Sequence, residues 1–316
     1  MKIILEKTLK IIRKIILSLG INKKNTQLID QKGNEASQYI YENLLNNEPF
    51  FTSRIGATEF NCLTGWLQSK KGNIKYIDYL TGHLDSYKID SNIIQQAYDW
   101  SGIFPPEKKI IEQFSALTLK DINEIDVLGI WLKENELLKY ELKSKIKIPL
   151  KDIEPYFHKS PWTKALKGKN VLVIHPFTTS IRSQYKKREL LFEDKNILPE
   201  FNLITLRAVQ SIAGEKTSYD TWFEALDYMK NEIDKIDFDI AIIGCGAYGL
   251  SLGAHIKRKG KKAIHIGGAT QILFGIKGSR WDNHPIISKL YNEHWIKPMP
   301  EETPKDKDKV EEGCYW

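Results

Sequence analysis

Residues 237–281 read DFDIAIIGCGAYGLSLGAHIKRKGKKAIHIGGATQILFGIKGSRW, which predicts a strand, a glycine turn, a helix, a second strand and a second glycine turn. The first turn holds Gly244, Gly246 and Gly249, a G-x-G-x-x-G pattern placed directly after the apolar run 240–243. Glycine lets the backbone bend tightly and approach an anion, and the following helix presents unpaired N–H groups. The stretch therefore predicts a diphosphate site, with close packing of helix against sheet as the alternative role for these glycines.

The second strand of this unit separates two classes of nucleotide site. Dinucleotide-binding enzymes place an Asp or Glu about 20 residues after the glycine turn, where it holds the ribose hydroxyls. Here the strand 263–266 runs into Gly267 and Gly268 without an acidic residue, and His265 is a weaker partner for a hydroxyl. We therefore expect no NAD and favour a nucleotide-binding enzyme of another type.

The composition predicts a globular protein with almost all of its net charge at one end. The chain has 316 residues, 41% of them hydrophobic, which is enough for one large or two modest cores. Cys62, Cys245 and Cys314 show no zinc-ligand or disulfide spacing, as is usual in a reducing cytosol. The net charge is +7, but residues 1–24 hold seven basic side chains and one acidic side chain. Because the remainder is almost neutral, we expect no nucleic-acid partner.

The basic N-terminal segment, residues 1–24, has the pattern of an amphipathic helix. Its apolar residues fall near one side of the helix and its cations largely on the other, and no run is long enough to span a bilayer. Residues 1–20 are predicted to bind an anionic membrane surface, which would hold the protein in the cytoplasm on the inner face of the cytoplasmic membrane. Docking of this helix on the core or on a partner subunit is the alternative. The apolar positions are Ile4, Leu5, Leu9, Ile12, Ile15, Ile16 and Leu19.

Short apolar runs alternate with helical patterns along the rest of the chain. Continuous apolar runs are typical of strands covered on both faces, so the fold class predicted is α/β, with a Rossmann-like, doubly wound and mostly parallel sheet. Residues 25–298 are predicted to form this domain, with a helical subdomain or insertion at about 66–125 and a flexible tail at 299–316. The strands are predicted at 50–55, 127–131, 171–174, 203–206, 240–243 and 263–266.

Two residues are candidates for catalysis. Glu59 follows a predicted strand and a glycine turn, in the sequence Arg54-x-Gly56-x-x-Glu59, and so begins a helix at the carboxyl edge of the sheet. It could serve as a general base, bind a sugar hydroxyl or hold a divalent ion, or it could simply favour the start of the helix. His175 directly follows the strand 171–174 and is the second candidate, with a structural role as the alternative.

A larger set of cationic, aromatic and glycine residues is predicted to bind the ligand. Arginine forms a planar fork that clamps phosphate, and aromatic rings offer stacking surfaces for a base or a sugar. The basic group after His175 is alternatively a solvated surface, and Trp281 is alternatively a core residue. The predicted binding residues are Arg54, Gly56, Arg182, Tyr185, Gly244, Gly246, Tyr248, Gly249, Gly267, Gly268, Lys277, Arg280 and Trp281.

Taken together, these motifs resemble the GT-D-like glycosyltransferases of bacterial surface-polysaccharide clusters. The resemblance rests on Arg54-x-Gly56-x-x-Glu59, on PWTKALKGKNVLVIHPF at 161–177, and on the 239–281 stretch, within a match over most of 45–285. It implies a Rossmann-like domain that takes a sugar from a nucleotide-sugar donor and adds it to a lipid-linked or oligosaccharide acceptor. In that family an Asp-x-Glu pair in this turn is associated with a divalent metal, Mg²⁺ or Mn²⁺. Here Ala57 stands at the Asp position and Glu59 alone remains.

Two other functions stay open on the sequence. One is a nucleotide-cofactor enzyme, such as a dehydrogenase or a methyltransferase, built on the same glycine turn. The other is a scaffold that binds a nucleotide-sugar or lipid without turnover, which the loss of the Asp makes conceivable.

Overall fold

The structure is a computed structural model that describes residues 2–20, 29–70, 76–82, 86–131, 138 and 141–316. Of the predicted basic N-terminal segment 1–24, residues 1 and 21–24 lie outside the described residues. The strands are β1 (Phe50–Arg54), β2 (Val127–Ile130), β3 (Ile146–Pro149), β4 (Asn170–His175), β5 (Asn202–Arg207), β6 (Ile240–Ile243) and β7 (Lys262–His265). The helices are α1 (Lys2–Ser18), α2 (Asn34–Leu45), α3 (Ala57–Lys70), α4 (Tyr76–Leu80), α5 (Ser91–Ser101), α6 (Lys108–Ile122), α7 (Thr178–Tyr185), α8 (Arg188–Leu191), α9 (Trp222–Asp234), α10 (Tyr248–Arg258) and α11 (Ala269–Leu273).

The strands form one seven-stranded sheet in the order β3-β2-β1-β7-β6-β4-β5, and every pair is parallel. This confirms the predicted Rossmann-like α/β fold, and each of the six predicted strands is present. β3 was not predicted from the sequence, because its residues, IKIP, include a lysine and a proline, which the edge of a sheet tolerates.

Alternate residues along each strand enter two hydrophobic cores, one on each face of the sheet. In β4, Leu172 and Ile174 pack with α3, α6, α9 and α10, while Val171 and Val173 pack with α2, α7 and α11. Because side chains of a strand point alternately to opposite faces, a continuous apolar run supplies both cores at once. The sheet is therefore covered on both sides, as doubly wound folds require.

The predicted subdomain at 66–125 is largely helical, but it belongs to one of these two layers. Ile111 and Phe114 of α6 lie in the same core cluster as Leu172 and Ile243 of the central strands. Because these residues share one core with the sheet, α5 and α6 pack directly against the main domain.

The N-terminal helix α1 is held at the side of the domain by a small contact. Leu9 is buried with Tyr79 and Tyr87, and the Arg13 guanidinium donates a hydrogen bond of 2.6 Å to the carbonyl oxygen of Tyr79. Most of the apolar positions of α1 stay outside this contact. Within the described residues, no helix combines the length and the apolar character needed to cross a membrane. The exposed apolar residues of α1 and its end are Ile4, Leu5, Ile11, Ile12, Ile15 and Leu19.

The C-terminal residues 299–316, which we call the C-terminal strap, differ from the expected flexible tail. Val310, Cys314 and Trp316 of the strap are buried. Glu302 is 1% exposed and its carboxylate accepts hydrogen bonds from the backbone N–H groups of Thr179, at 2.6 Å, and Ser180, at 3.2 Å. It therefore caps the first turn of α7, whose N–H groups have no partner within the helix. This contact could not be predicted from the polar sequence of the strap, because Glu302 and its partners in α7 lie over 100 residues apart.

Candidate functional site

A cavity opens at the carboxyl edge of the sheet, where the ends of β1, β7, β6 and β4 meet. The cavity has a volume of about 200 Å³. One water molecule needs roughly 10–15 Å³ on the same measure, so the cavity has room for a ligand larger than a few waters. The chain leaves β4 toward β5 and leaves β6 toward β7, so the two connections diverge between neighbouring strands. Open α/β sheets bind ligands at such a divergence. The predicted site residues that line the cavity are Arg54, Gly56, Glu59, His175, Gly244, Gly246, Tyr248, Gly267, Gly268 and Arg280.

Arg54, the last residue of β1, is the main cation of this cavity. Its guanidinium carbon lies 4.9 Å from the ring centroid of Trp131, and the Trp131 indole donates a hydrogen bond of 2.9 Å to the carbonyl oxygen of Ile55. No carboxylate of the described residues lies within salt-bridge distance of Arg54, although the charges of Glu59 and Glu154 act on it from farther away. Burial lowers the pKa of Arg54 from its usual value, yet arginine remains charged in proteins. A partly buried guanidinium that forms no salt bridge is suited to bind an anion.

Glu59 lies in the first turn of α3 and its side chain folds back over Gly56. A Cβ atom at Gly56 would lie only 1.9 Å from the Glu59 Oε2 atom, so a side chain at this position would displace the Glu59 carboxylate. Glycine therefore allows the carboxylate to reach the cavity at the end of β1. Because a carboxylate can accept a proton or a hydrogen bond, Glu59 can act on a hydroxyl group of a ligand.

The three glycines of the first turn do not share one role. A Cβ at Gly244 would lie 2.6 Å from the carbonyl oxygen of Gly267, and one at Gly249 would lie 2.2 Å from the Nε2 atom of His265. These two glycines allow close packing, and Gly249 does not line the cavity. Gly246 has a φ of 57°, and no atom is closer to its Cβ position than the carbonyl oxygen of Ser101, at 3.9 Å. The turn is therefore open to a ligand at Gly246.

Tyr248 forms part of the cavity wall and is held rigidly. Its ring stacks on Trp222 at 4.9 Å between centroids, and its hydroxyl lies 3.1 Å from the Ser211 hydroxyl. Burial raises the pKa of Tyr248 far above its ordinary value, so the phenol stays protonated. Tyr248 therefore shapes the wall, while its hydroxyl already has a protein partner.

His175 is a neutral hydrogen-bond donor, which differs from the expectation that it could act as a base. Its Nδ1 atom accepts a hydrogen bond of 2.9 Å from the backbone N–H of Phe177, so the proton is on Nε2. Burial lowers the pKa of His175 to about 3. At neutral pH the ring is uncharged and a poor base, and within the described residues its Nε2–H has no protein acceptor.

The second glycine bend is covered by the C-terminal strap. A Cβ at Gly268 would lie 2.5 Å from the ring of Tyr315, so the strap occupies the space beside this bend. The Arg280 guanidinium donates a hydrogen bond of 3.2 Å to the Tyr315 hydroxyl and lies over its ring at 4.8 Å. Gly268 therefore supports the strap and also lines the cavity, and its contact with a ligand stays a prediction. Gly267 lies beside Arg54, whose Cδ atom would be 3.3 Å from a Cβ at that position.

Five predicted binding residues lie outside the cavity: Arg182, Tyr185, Gly249, Lys277 and Trp281. Arg182 donates a hydrogen bond to the Thr205 hydroxyl at 2.9 Å, and the Tyr185 hydroxyl donates to the carbonyl oxygen of Phe201 at 2.8 Å. Lys277 lies over the ring of Tyr291 at 5.3 Å, and Trp281 is a buried core residue. Their expected role in ligand binding is therefore not supported, because packing elsewhere holds these side chains away from the cavity.

Several residues that line the cavity were not predicted from the sequence. Trp100 and Trp131 are 41% and 45% exposed, and Gln210 follows the end of β5. Tyr315 and Trp316 also line it. In the sequence, only Tyr315 and Trp316 stood out, as two aromatic residues at the end of an otherwise polar segment. Trp100 and Trp131 gave no signal, since their exposure depends on the fold.

The residues of the cavity do not form a metal-binding set. No group of three or more His, Cys, Asp or Glu side chains that could hold a metal ion occurs in the part of the chain that the structure describes. Glu59 is the carboxylate that lines the cavity, and Ala57 brings no ligand. Since Mg²⁺ and Mn²⁺ prefer several oxygen ligands, one carboxylate does not make a site of its own.

Comparisons of the chain with protein-family models, with curated proteins and with solved structures give no significant match. The resemblance to GT-D-like glycosyltransferases therefore stays a prediction. The chemistry of the cavity is therefore the basis for a proposed function.

Proposed function

We propose that this protein is a glycosyltransferase that moves a sugar from a nucleoside-diphosphate sugar to a glycan acceptor in bacterial surface-polysaccharide synthesis. The observation that carries the proposal is Arg54, a partly buried cation that forms no salt bridge with the described residues and lies in the same cavity as the open turn at Gly246. A diphosphate would satisfy both the guanidinium and the backbone N–H groups of this turn. Arg280 adds a second positive charge at the rim of the same cavity.

In this reaction the cavity stabilises the charge that develops on the leaving group. The oxygen of the acceptor hydroxyl bonds to the anomeric carbon, and its proton passes to the Glu59 carboxylate. The bond between the anomeric carbon and the phosphate oxygen breaks, and its electron pair goes to the diphosphate. Arg54 and the turn at Gly246 stabilise that negative charge, while the neutral His175 offers an N–H to a ligand oxygen. No step is routed through a metal ion.

We further infer that α1 binds an anionic membrane surface, which would bring the cavity to a lipid-linked acceptor. Ile4, Ile11 and Leu19 are 70%, 61% and 68% exposed, and Lys7 and Lys10 supply positive charge on the same helix. An amphipathic helix with exposed apolar residues and cations gains affinity from both sources at an anionic interface.

The proposal is tested first by ligand binding. A thermal-shift panel compares UDP-sugars and GDP-sugars with NAD and S-adenosylmethionine. We expect stabilisation by a nucleoside-diphosphate sugar. Stabilisation by NAD or S-adenosylmethionine alone would instead identify a dehydrogenase or a methyltransferase.

Catalysis is tested by comparing two first-turn carboxylates. Glu59→Gln should lower donor hydrolysis or transfer by about 10²- to 10⁴-fold, the usual contribution of a general base, with the thermal midpoint unchanged. Glu35, an exposed carboxylate in the first turn of α2, provides the matched control Glu35→Gln, which should keep full activity. Donor binding without turnover by the wild type would make the protein a non-catalytic scaffold.

A further inference from the structure

The C-terminal strap contacts α7 through its first residues, and its last residues line the cavity. At the beginning, the Ser180 hydroxyl donates a hydrogen bond of 2.5 Å to Glu302 and accepts one of 3.0 Å from the backbone N–H of Met299. At the end, the backbone N–H of Arg280 donates to the carbonyl oxygen of Cys314 at 3.1 Å, and the Gln271 amide donates to that of Tyr315, also at 3.1 Å. The position of Tyr315 is therefore fixed by contacts on both sides of the strap.

Tyr315 contacts Arg280 and interacts electrostatically with Arg54. Its ring packs on Gly268, and the Arg280 guanidinium lies over the same ring. The Tyr315 hydroxyl accepts a hydrogen bond from that guanidinium. Burial raises the pKa of Tyr315, and the positive charges of Arg280 and Arg54 act on it in the opposite direction. The phenol is therefore protonated and lies within the electrostatic range of both cations.

Arg280 is exposed at the rim of the cavity, where it also contacts the Cys314 side chain and lies 5.9 Å from the ring centroid of Trp281. An exposed arginine has many rotamers, and binding an anion from a disordered state costs conformational entropy. The hydrogen bond and the ring contact from Tyr315 restrict the guanidinium before a ligand arrives. Preorganisation of this kind increases affinity without a new contact to the ligand.

We propose that Tyr315 is a positioning residue for the diphosphate: it holds Arg280 so that this guanidinium and Arg54 act on the same anion. This inference rests on the proposed function, since it assumes that a diphosphate binds in the cavity. It adds that the C-terminal strap is part of the binding site. The second glycine bend then serves as the surface on which Tyr315 packs.

The test is a double-mutant cycle on Tyr315 and Arg280, read by calorimetric titration with UDP and with inorganic pyrophosphate. Tyr315→Phe keeps the ring on Gly268 and removes only the hydroxyl, so we expect about 2- to 5-fold weaker binding with the thermal midpoint unchanged. Arg280→Ala should weaken binding by about 10-fold or more. In the Arg280→Ala background, Tyr315→Phe should have no further effect, because its effect acts through Arg280.

A matched control is available outside the cavity. Lys277 lies over the ring of Tyr291 in a similar pair of cation and aromatic ring, and neither residue lines the cavity. Tyr291→Phe should therefore leave UDP affinity unchanged. If Tyr315→Phe matches the wild type, or if it weakens binding equally with and without Arg280, the positioning role is refuted while the proposed function stands. If the wild type binds neither UDP nor pyrophosphate, both proposals fail.

Discussion

Replacing Glu154 with glutamine should stabilise the protein more at pH 8 than at pH 4.5. Glu154 accepts a hydrogen bond from the Tyr156 hydroxyl, and burial raises its pKa from 4.5 to about 7, opposed in part by Tyr156 and Arg54. Between pH 4.5 and about pH 7, the folded state therefore holds a proton on Glu154, while the unfolded state has lost it. As pH rises through this window, the wild type loses stability that the glutamine variant keeps.

The size of this effect follows from the change in pKa. A shift from 4.5 to about 7 corresponds to about 3 kcal/mol at full ionisation. Because Glu154 retains some contact with solvent, which weakens the penalty, we expect about 1–3 kcal/mol between pH 4.5 and pH 8.

Urea unfolding followed by tryptophan fluorescence, repeated across this pH range, measures the difference between Glu154→Gln and the wild type. Glu35→Gln, at an exposed carboxylate, serves as the control and should follow the wild type. Parallel pH curves for Glu154→Gln and the wild type would refute the assignment of a protonated Glu154 below pH 7.

Three further predictions concern binding, acid stability and the membrane. Arg54→Ala should weaken the binding of a nucleoside-diphosphate sugar by about 10- to 100-fold in calorimetric titration. Arg182→Ala should not weaken it, because Arg182 lies outside the cavity. If Arg54→Ala binds the sugar nucleotide as tightly as the wild type, Arg54 is not part of the site. His175, whose pKa burial lowers to about 3, should make the folded state lose stability as pH falls below 6.5. His175→Gln should reduce that loss in urea unfolding, and an unchanged slope would contradict a buried neutral ring. Serine at both Ile11 and Ile15 should weaken sedimentation with anionic vesicles severalfold at unchanged thermal midpoint, and undiminished vesicle binding would rule out this face of α1.

The sequence predicts the parts of the fold that depend on local pattern. Apolar runs covered on both faces gave six strands, and parallel strands necessarily bring their carboxyl ends to one edge. For this reason Arg54, Glu59, His175 and Gly246 lie around one cavity, although they come from three separate segments. The proximity of these residues follows from topology and needs no knowledge of distant contacts.

The parts that could not be predicted depend on contacts between distant residues. Arg182 and Tyr185 follow the end of β4 closely, yet α7 turns them toward β5 and the loop before it. The contact of Glu302 with α7 joins residues more than 100 positions apart, and no periodic pattern in the strap indicates it. The tautomer of His175 likewise depends on a backbone N–H that only the folded turn presents.

The most direct test of the account is a crystal structure of the protein with a nucleoside-diphosphate sugar. We expect the diphosphate to lie in the cavity, with its oxygens within hydrogen-bond distance of the Arg54 guanidinium and the backbone N–H groups at Gly246. The sugar should lie beside Glu59. A diphosphate bound elsewhere, or bound in the cavity without contact to Arg54, would contradict it.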